Sequence, residues 1–240
     1  MKNWPWYSIR LVLLCFAMLF LFSFARKRTN SRTFNTVDIT FVDEVQNSFI
    51  TNENVNNLLK QNFGQVLTIE KEKVDLSKIE KVLDKHPNIS KSEVYQTVDG
   101  ALKVIISQKQ PVARVIDNEH SYYIDSLGSA MPLSSNFSAR VLTIQGKKEF
   151  LKNKDVLSLL NVINNDDFLK KNIIAVSVLD KTQIELWTRE HRFKIFFGKP
   201  IDIQNKLNKY KAFYLYASKD SLIETYKRID LTFAKQIVCE

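Results

Sequence analysis

Hydrophobic positions follow three patterns in succession along this chain, and each predicts a different kind of element. The first is continuous. Leu11 to Ala25 reads LVLLCFAMLFLFSFA, and the apolar stretch reaches back through Ile9, Tyr7, Trp6 and Trp4 with Arg10 as its only charge. About 20 apolar residues, at ~1.5 Å of helix each, cross a ~30 Å hydrocarbon core. Eleven Leu, Ile, Val and Phe residues between Ile9 and Phe24 favour insertion by about 3 to 6 kcal/mol in sum. Arg10 lies near enough to the end to snorkel to the headgroups. The pattern predicts a transmembrane helix over 9–25 behind a short tail over 1–8. Leu11, Leu14, Leu19 and Phe22 face lipid in this reading, and Trp4, Trp6 and Tyr7 form an aromatic belt at one interface.

A cleaved signal peptide is the rival reading, because Lys2 supplies charge and Ser23 and Ala25 are small residues at cleavage-site spacing. Phe20, Phe22 and Phe24 crowd the region before such a cut, which favours an uncleaved anchor. Charge leaves the orientation open. Arg26, Lys27, Arg28 and Arg32 follow the segment while Lys2 and Arg10 precede it, a bias that taken alone keeps the C-terminal side in the cytoplasm.

After a polar, basic tether over 26–35, the pattern changes to short alternations and helical stripes. Val37, Ile39 and Phe41 alternate with Asp38 and Thr40, as in a half-buried strand. Thr51 then caps a stripe of Val55, Leu58, Leu59 and Phe63 that stops at Gly64. Asp75 caps a second stripe, Leu76, Ile79, Val82 and Leu83, which His86-Pro87 ends. Strands over Ile89–Gln96 and Ala101–Gln108 flank the Asp99-Gly100 turn. The order β-α-α-β-β over 36–109 predicts two helices on one face of a three-stranded sheet.

Pro111 separates this unit from a longer one over 110–240. Strands are predicted at Val112–Ile116, Ser121–Asp125, Arg140–Gln145 and Ile173–Leu179, with a turn between Leu127-Gly128 and Met131-Pro132. Ile184 and Leu186, then Phe193, Ile195 and Phe197, form a hairpin over Arg189–His191. Helices fall at Lys154–Asn164, closed by Asn165-Asp166-Asp167, and at Asp202–Tyr216. Ile229, Leu231 and Phe233 alternate with Arg228, Asp230 and Thr232, which predicts a closing strand over Tyr226–Val238. The fold class is α+β: a single N-terminal transmembrane helix, the β-α-α-β-β module, and a mixed, mainly antiparallel β-domain with two helices.

Charge changes this picture little. The net charge is +9, but five of the 35 basic residues lie in or beside the apolar segment; the rest of the chain sets 30 against 26 acidic, or +4. These charges are interspersed, which argues against nucleic-acid binding. Cys15 lies in the apolar run and Cys239 at the other end of the sequence, so no intrachain disulfide is expected.

Candidate chemistry is sparse. His86, His120 and His191 are isolated, and no HExxH, CxxC or DxDxDG pattern proposes a metal. Asp117, Glu119 and Asp125 flank a predicted hairpin and read as turn residues. Ser121, Ser126, Ser129, Ser134 and Ser135 lack a nucleophile motif. Gly198-Lys199-Pro200 is a turn, and five glycines leave little for a phosphate cradle. No cofactor, small-molecule substrate or enzymatic activity is expected.

The ordered pieces resemble the bacterial cell-division protein family FtsQ/DivIB. VDITF (37–41), LSKIEKVLDKHPNISKSEV (76–94) and LKVIISQKQPVARV (102–115) are similar to that family's POTRA module. YYIDSLGSAMPLS (122–134) is similar to its Tyr-x-Asp-x-x-Gly-x-x-Pro element, and YKRIDLTFAKQIV (226–238) to its closing strand. Gln108 and Thr232 stand where many members carry Glu and Arg, which removes any ion pair those would make. The resemblance implies a non-enzymatic scaffold of the division septum, its tail cytoplasmic and both domains outside the cytoplasmic membrane. It also implies FtsL- and FtsB-like bitopic partners, bound through the closing strand by β-augmentation. Phe233 is then the leading contact, with Asp230, Thr232 and Lys235 beside it, while Ile229 and Leu231 face the core. The alternative function is a POTRA-containing envelope assembly or secretion factor, which calls for repeated modules or a barrel.

Overall fold

The computed structural model describes residues 6–30, 33–42, 48–65, 71–117, 120–146, 153–180, 183–219 and 221–240. Lys2, Trp4, Arg32 and Glu119 lie outside them. The apolar segment forms helix α1, Trp6–Asn30, so residues 26–30 of the expected tether are helical. Leu11, Leu14, Leu19 and Phe22 are each 65–67% exposed along it. Among the described residues no helix is long and apolar enough to cross a membrane. The expected transmembrane helix over 9–25 is thus not found: its uninterrupted apolar run, Leu11–Ala25 between Arg10 and Arg26, is 15 residues, short of the ~20 that a crossing needs.

The chain divides into two compact units, one reaching to Gln108 and the other holding Lys109–Glu240 together with Phe49. In the first, β1 (Val37–Phe41), α2 (Asn52–Phe63), α3 (Leu76–Asp84), β2 (Ile89–Gln96) and β3 (Leu102–Gln108) follow the expected order. Both helix starts are capped. Thr51 and Asn54 exchange side-chain and backbone bonds in a capping box, and the Asp75 carboxylate accepts from Lys78 N. The sheet order is β1-β3-β2, with β1 parallel and β2 antiparallel to β3. Val55 and Leu59 of α2 and Ile79 and Leu83 of α3 share a core with Leu102, Val104 and Ile106 of β3.

The second unit is a nine-stranded sheet in the order β12-β11-β10-β9-β8-β7-β4-β5-β6. Its strands are β4 (Pro111–Ile116), β5 (Ser121–Asp125), β6 (Ala130–Met131), β7 (Leu142–Gly146), β8 (Ile173–Val178), β9 (Ile184–Thr188), β10 (Lys194–Gly198), β11 (Arg228–Asp230) and β12 (Val238–Cys239). Neighbours are parallel at β4–β7, β7–β8 and β10–β11 and antiparallel elsewhere. Gly146 allows the close approach of β7 to β8, since a Cβ there would stand 2.7 Å from the Val178 carbonyl oxygen. Helices α4 (Lys154–Asn164), α5 (Asp167–Asn172) and α6 (Ile203–Ala217) pack their apolar residues into one core with alternate strand residues. The complementary strand positions are open, and there Lys194 lies over the Trp187 ring and Arg228 over Phe196.

Four local expectations change. Asn165-Asp166-Asp167 does not close a loop, because the Asp166 carboxylate accepts from Phe168 N and Leu169 N and starts α5, a third helix. Asp202 precedes α6 in a left-handed conformation (φ 52°) without a side-chain cap bond. Pro111 opens β4 rather than standing outside it, a first-strand position where its missing N–H costs little. Asp125 is buried, its Oδ1 accepting from Leu127 N (2.9 Å) and Ser129 N (2.7 Å). Gly128 completes that turn at φ 80°, so the Tyr-x-Asp-x-x-Gly element is the device that turns β5 into β6. Its Tyr123 hydroxyl accepts from Ala139 N at 3.1 Å, and its ring packs with Met131 and edge-on against Phe49.

Candidate functional site: the closing edge of the larger sheet

The expected closing strand over 226–238 is two short strands. β11 pairs parallel with β10 through Lys194↔Arg228 to Phe196↔Asp230 and holds Ile229 and Leu231 at 0% exposure against the core. It stops at Asp230 for a local reason: Oδ1 accepts from Thr232 N at 2.8 Å and from Thr232 Oγ1 at 2.6 Å, which bends the chain away from the ladder. Thr232–Gln236 are exposed, and the chain then returns antiparallel as β12, pairing Ile229↔Cys239 and Asp230↔Val238.

This register decides which groups face outward. Arg228 and Glu240 exchange N–H···O bonds at 3.1 and 3.0 Å. Antiparallel alternation therefore turns Val238 and Glu240 toward β11, and turns the backbone groups of Ile237 and Cys239 away from the sheet. Strand β12 is terminal in the order. Those outward groups, and not β11, form the edge at which another strand can add.

The named contact residues sit beside that edge. Phe233 is 47% exposed on the bend, so it does not belong to the core with Ile229 and Leu231. Thr232 and Asp230 hold each other, and Asp230 Oδ2 lies 3.7 Å from Arg228. Lys235 is exposed at the far side of the bend.

Two lysines of α6 fix the bend and the end of β10 beneath it. Lys209 Nζ donates to the Phe233 carbonyl at 2.5 Å and to the Ala234 carbonyl at 3.4 Å. Lys206, buried, donates to the Phe197 and Lys199 carbonyls at 2.9 Å each and lies over the Phe197 ring. Burial, then repulsion from Lys209, lowers the Lys206 pKa below its ordinary value. The sequence carried one signal for this: Lys206 interrupts the apolar face between Ile203 and Leu207.

The remaining candidate groups are used structurally. His86 Nδ1 accepts from Asn88 N, and burial lowers its pKa, so it is a neutral turn residue and not a cation at a helix end. His191 Nδ1 lies 3.0 Å from Glu224 Oε1 with its ring stacked on Phe193. The His120 carbonyl accepts from Asp117 N. Among the described residues no group of three or more His, Cys, Asp or Glu side chains could hold a metal.

Comparison with known proteins agrees with this architecture. The profile of the family "FtsQ/DivIB, C-terminal related" matches residues 110–240, more than half of the chain, and that of the POTRA-like domain matches residues 33–107. No curated protein matches.

Proposed function

The chain belongs to the FtsQ/DivIB family, and from that premise we propose that it is a non-enzymatic scaffold of the cell-division machinery that takes a partner strand on the outer edge of β12. The observation that carries this reading is the position of β12: it ends the sheet with the backbone groups of Ile237 and Cys239 outward. Added strands gain main-chain hydrogen bonds there, and side chains beside the edge set specificity. Phe233 and Lys235 are the side chains placed to do so, with Asp230 and Thr232 shaping the bend that presents them. The partners are bitopic division proteins of the FtsL and FtsB type.

Helix α1 anchors the scaffold in the cytoplasmic membrane. Its apolar side chains from Trp6 to Phe24 are exposed on every side of the helix. Such a helix has no use for one apolar stripe and finds its solvent in lipid. Both folded units lie on the extracytoplasmic side at the septum, an orientation taken from the family against the local charge bias. A photo-crosslinking side chain at Lys235 in dividing cells tests the whole reading. An FtsL- or FtsB-like adduct from septal material is expected; adducts without any bitopic division protein would overturn it.

A further inference from the structure

The smaller sheet ends at β2, two of whose outward donors are already occupied. Strand β2 is terminal in the order β1-β3-β2. Its antiparallel pairing with β3 turns alternate N–H groups away from the sheet. The N–H of Ser92 donates to Asp84 Oδ1 at 2.7 Å, and the N–H of Val94 to Glu80 Oε1 at 2.8 Å. The Ser92 hydroxyl adds a second bond to Asp84 Oδ1 at 2.7 Å. Glu80 and Asp84 are one helical turn apart on α3, next to the buried Ile79 and Leu83, so the residues that dock the helix also aim both carboxylates at the edge. Charge-assisted bonds of this kind are roughly twice as strong as neutral ones.

Without those carboxylates the edge would suit a second copy of itself. Lys91 and Glu93 point to the exposed face and bond to each other within the strand at 2.6 Å. Antiparallel pairing of two copies about Ser92 sets Lys91 of each against Glu93 of the other. Moving the centre to Glu93 instead sets like charges opposite, which is unfavourable. The strand is eight residues long, ample for such a ladder. We propose that the outer edge of β2 is a latent pairing edge for a second copy of this chain, held shut by Glu80 and Asp84.

The test uses the full chain in detergent micelles, read by amide exchange and by sedimentation. E80A should speed exchange at Val94, and D84A at Ser92, each by about tenfold or more, the factor expected from losing a charge-assisted hydrogen bond. The double variant E80A/D84A should dimerise with rising concentration where the wild type does not. Adding K91E should dissolve that dimer, and K91E/E93K should restore it. E80Q/D84N keeps two acceptor oxygens without their charge and should stay monomeric, with exchange at Val94 and Ser92 between wild type and the alanine variants. A double alanine variant that stays monomeric with both amides fast, or a dimer indifferent to K91E, overturns the proposal. Should the double variant lose cooperative melting, the single variants decide: unchanged exchange at Val94 in E80A and at Ser92 in D84A also overturns it.

Discussion

Replacing Ile237 by proline separates the support of the fold from the acceptance of a partner. In β12 the bonds to β11 are made by Val238 and Glu240, so the N–H that proline deletes at 237 faces outward in the free protein. The fold then loses only part of the Ile237 side chain's packing on the core, about 1 kcal/mol. A bound strand loses more. One inter-strand bond, net about 0.5–1.5 kcal/mol, disappears, and the partner carbonyl left without a donor costs about 1–3 kcal/mol. The sum of about 1.5–4.5 kcal/mol is a loss of roughly 10- to 1,600-fold in affinity at ~1.4 kcal/mol per decade. Val238→Pro is the matched control, because its N–H faces β11 and its loss should lower the melting temperature. The assay is a titration of the full chain in micelles with a purified FtsL/FtsB-type pair, beside thermal melts of each variant. If I237P melts as a folded protein and binds like the wild type, the partner does not add at β12.

Three other outcomes follow from the same geometry. Phe233→Glu should weaken partner binding in that titration and leave the melt within about 0.5 kcal/mol of wild type, as expected for an exposed position outside the core. Asp125→Ala should destabilise the second unit by about 3 kcal/mol in denaturant titrations, since Leu127 N and Ser129 N lose a charged acceptor, while Asp125→Asn keeps an acceptor oxygen and should cost less than half as much. Burial and the bond to Glu190 push the Tyr214 phenol up to about 12. Its contribution to stability is therefore complete below pH ~10 and lost as the pH rises toward the folded value. Alkaline melts should fall across that window, and Tyr214→Phe should flatten the fall.

Where the side-chain period was clean, the sequence was a sufficient guide. The stripes of α2 and α3, the alternation of β1 and the Asp-Gly turn before β3 all follow directly from positions that must be buried. The closing element departs from its pattern because Ile229, Leu231 and Phe233 keep a strand's alternation past the end of the strand. The Asp230 carboxylate, which takes the Thr232 amide, stops it. Helix α5 is not legible in the sequence for a related reason: Asp166 belongs to a run of polar residues that resembles a loop until its side chain caps a helix. In both cases a short acid takes backbone donors, ending a ladder at Asp230 and starting a helix at Asp166, and periodicity does not register such bonds. The parallel β10–β11 pairing was hidden as well, because it depends on α6 crossing between residues far apart in sequence.

Phe49 shows that a boundary drawn from heredity and one drawn from packing need not coincide. It falls within the span matched by the POTRA-like profile, yet its ring is 6% exposed against Tyr123, Met131 and Phe137, and its carbonyl accepts from the Ser134 hydroxyl. A fragment begun at residue 110 would keep every strand and helix of the second unit and still lack this ring. Emptying such a socket costs about 3–5 kcal/mol, a large share of what a domain of this size has to spare. Poor behaviour of that fragment would thus report a missing aromatic residue from sixty positions upstream, and a short peptide carrying Phe49 should restore part of its stability.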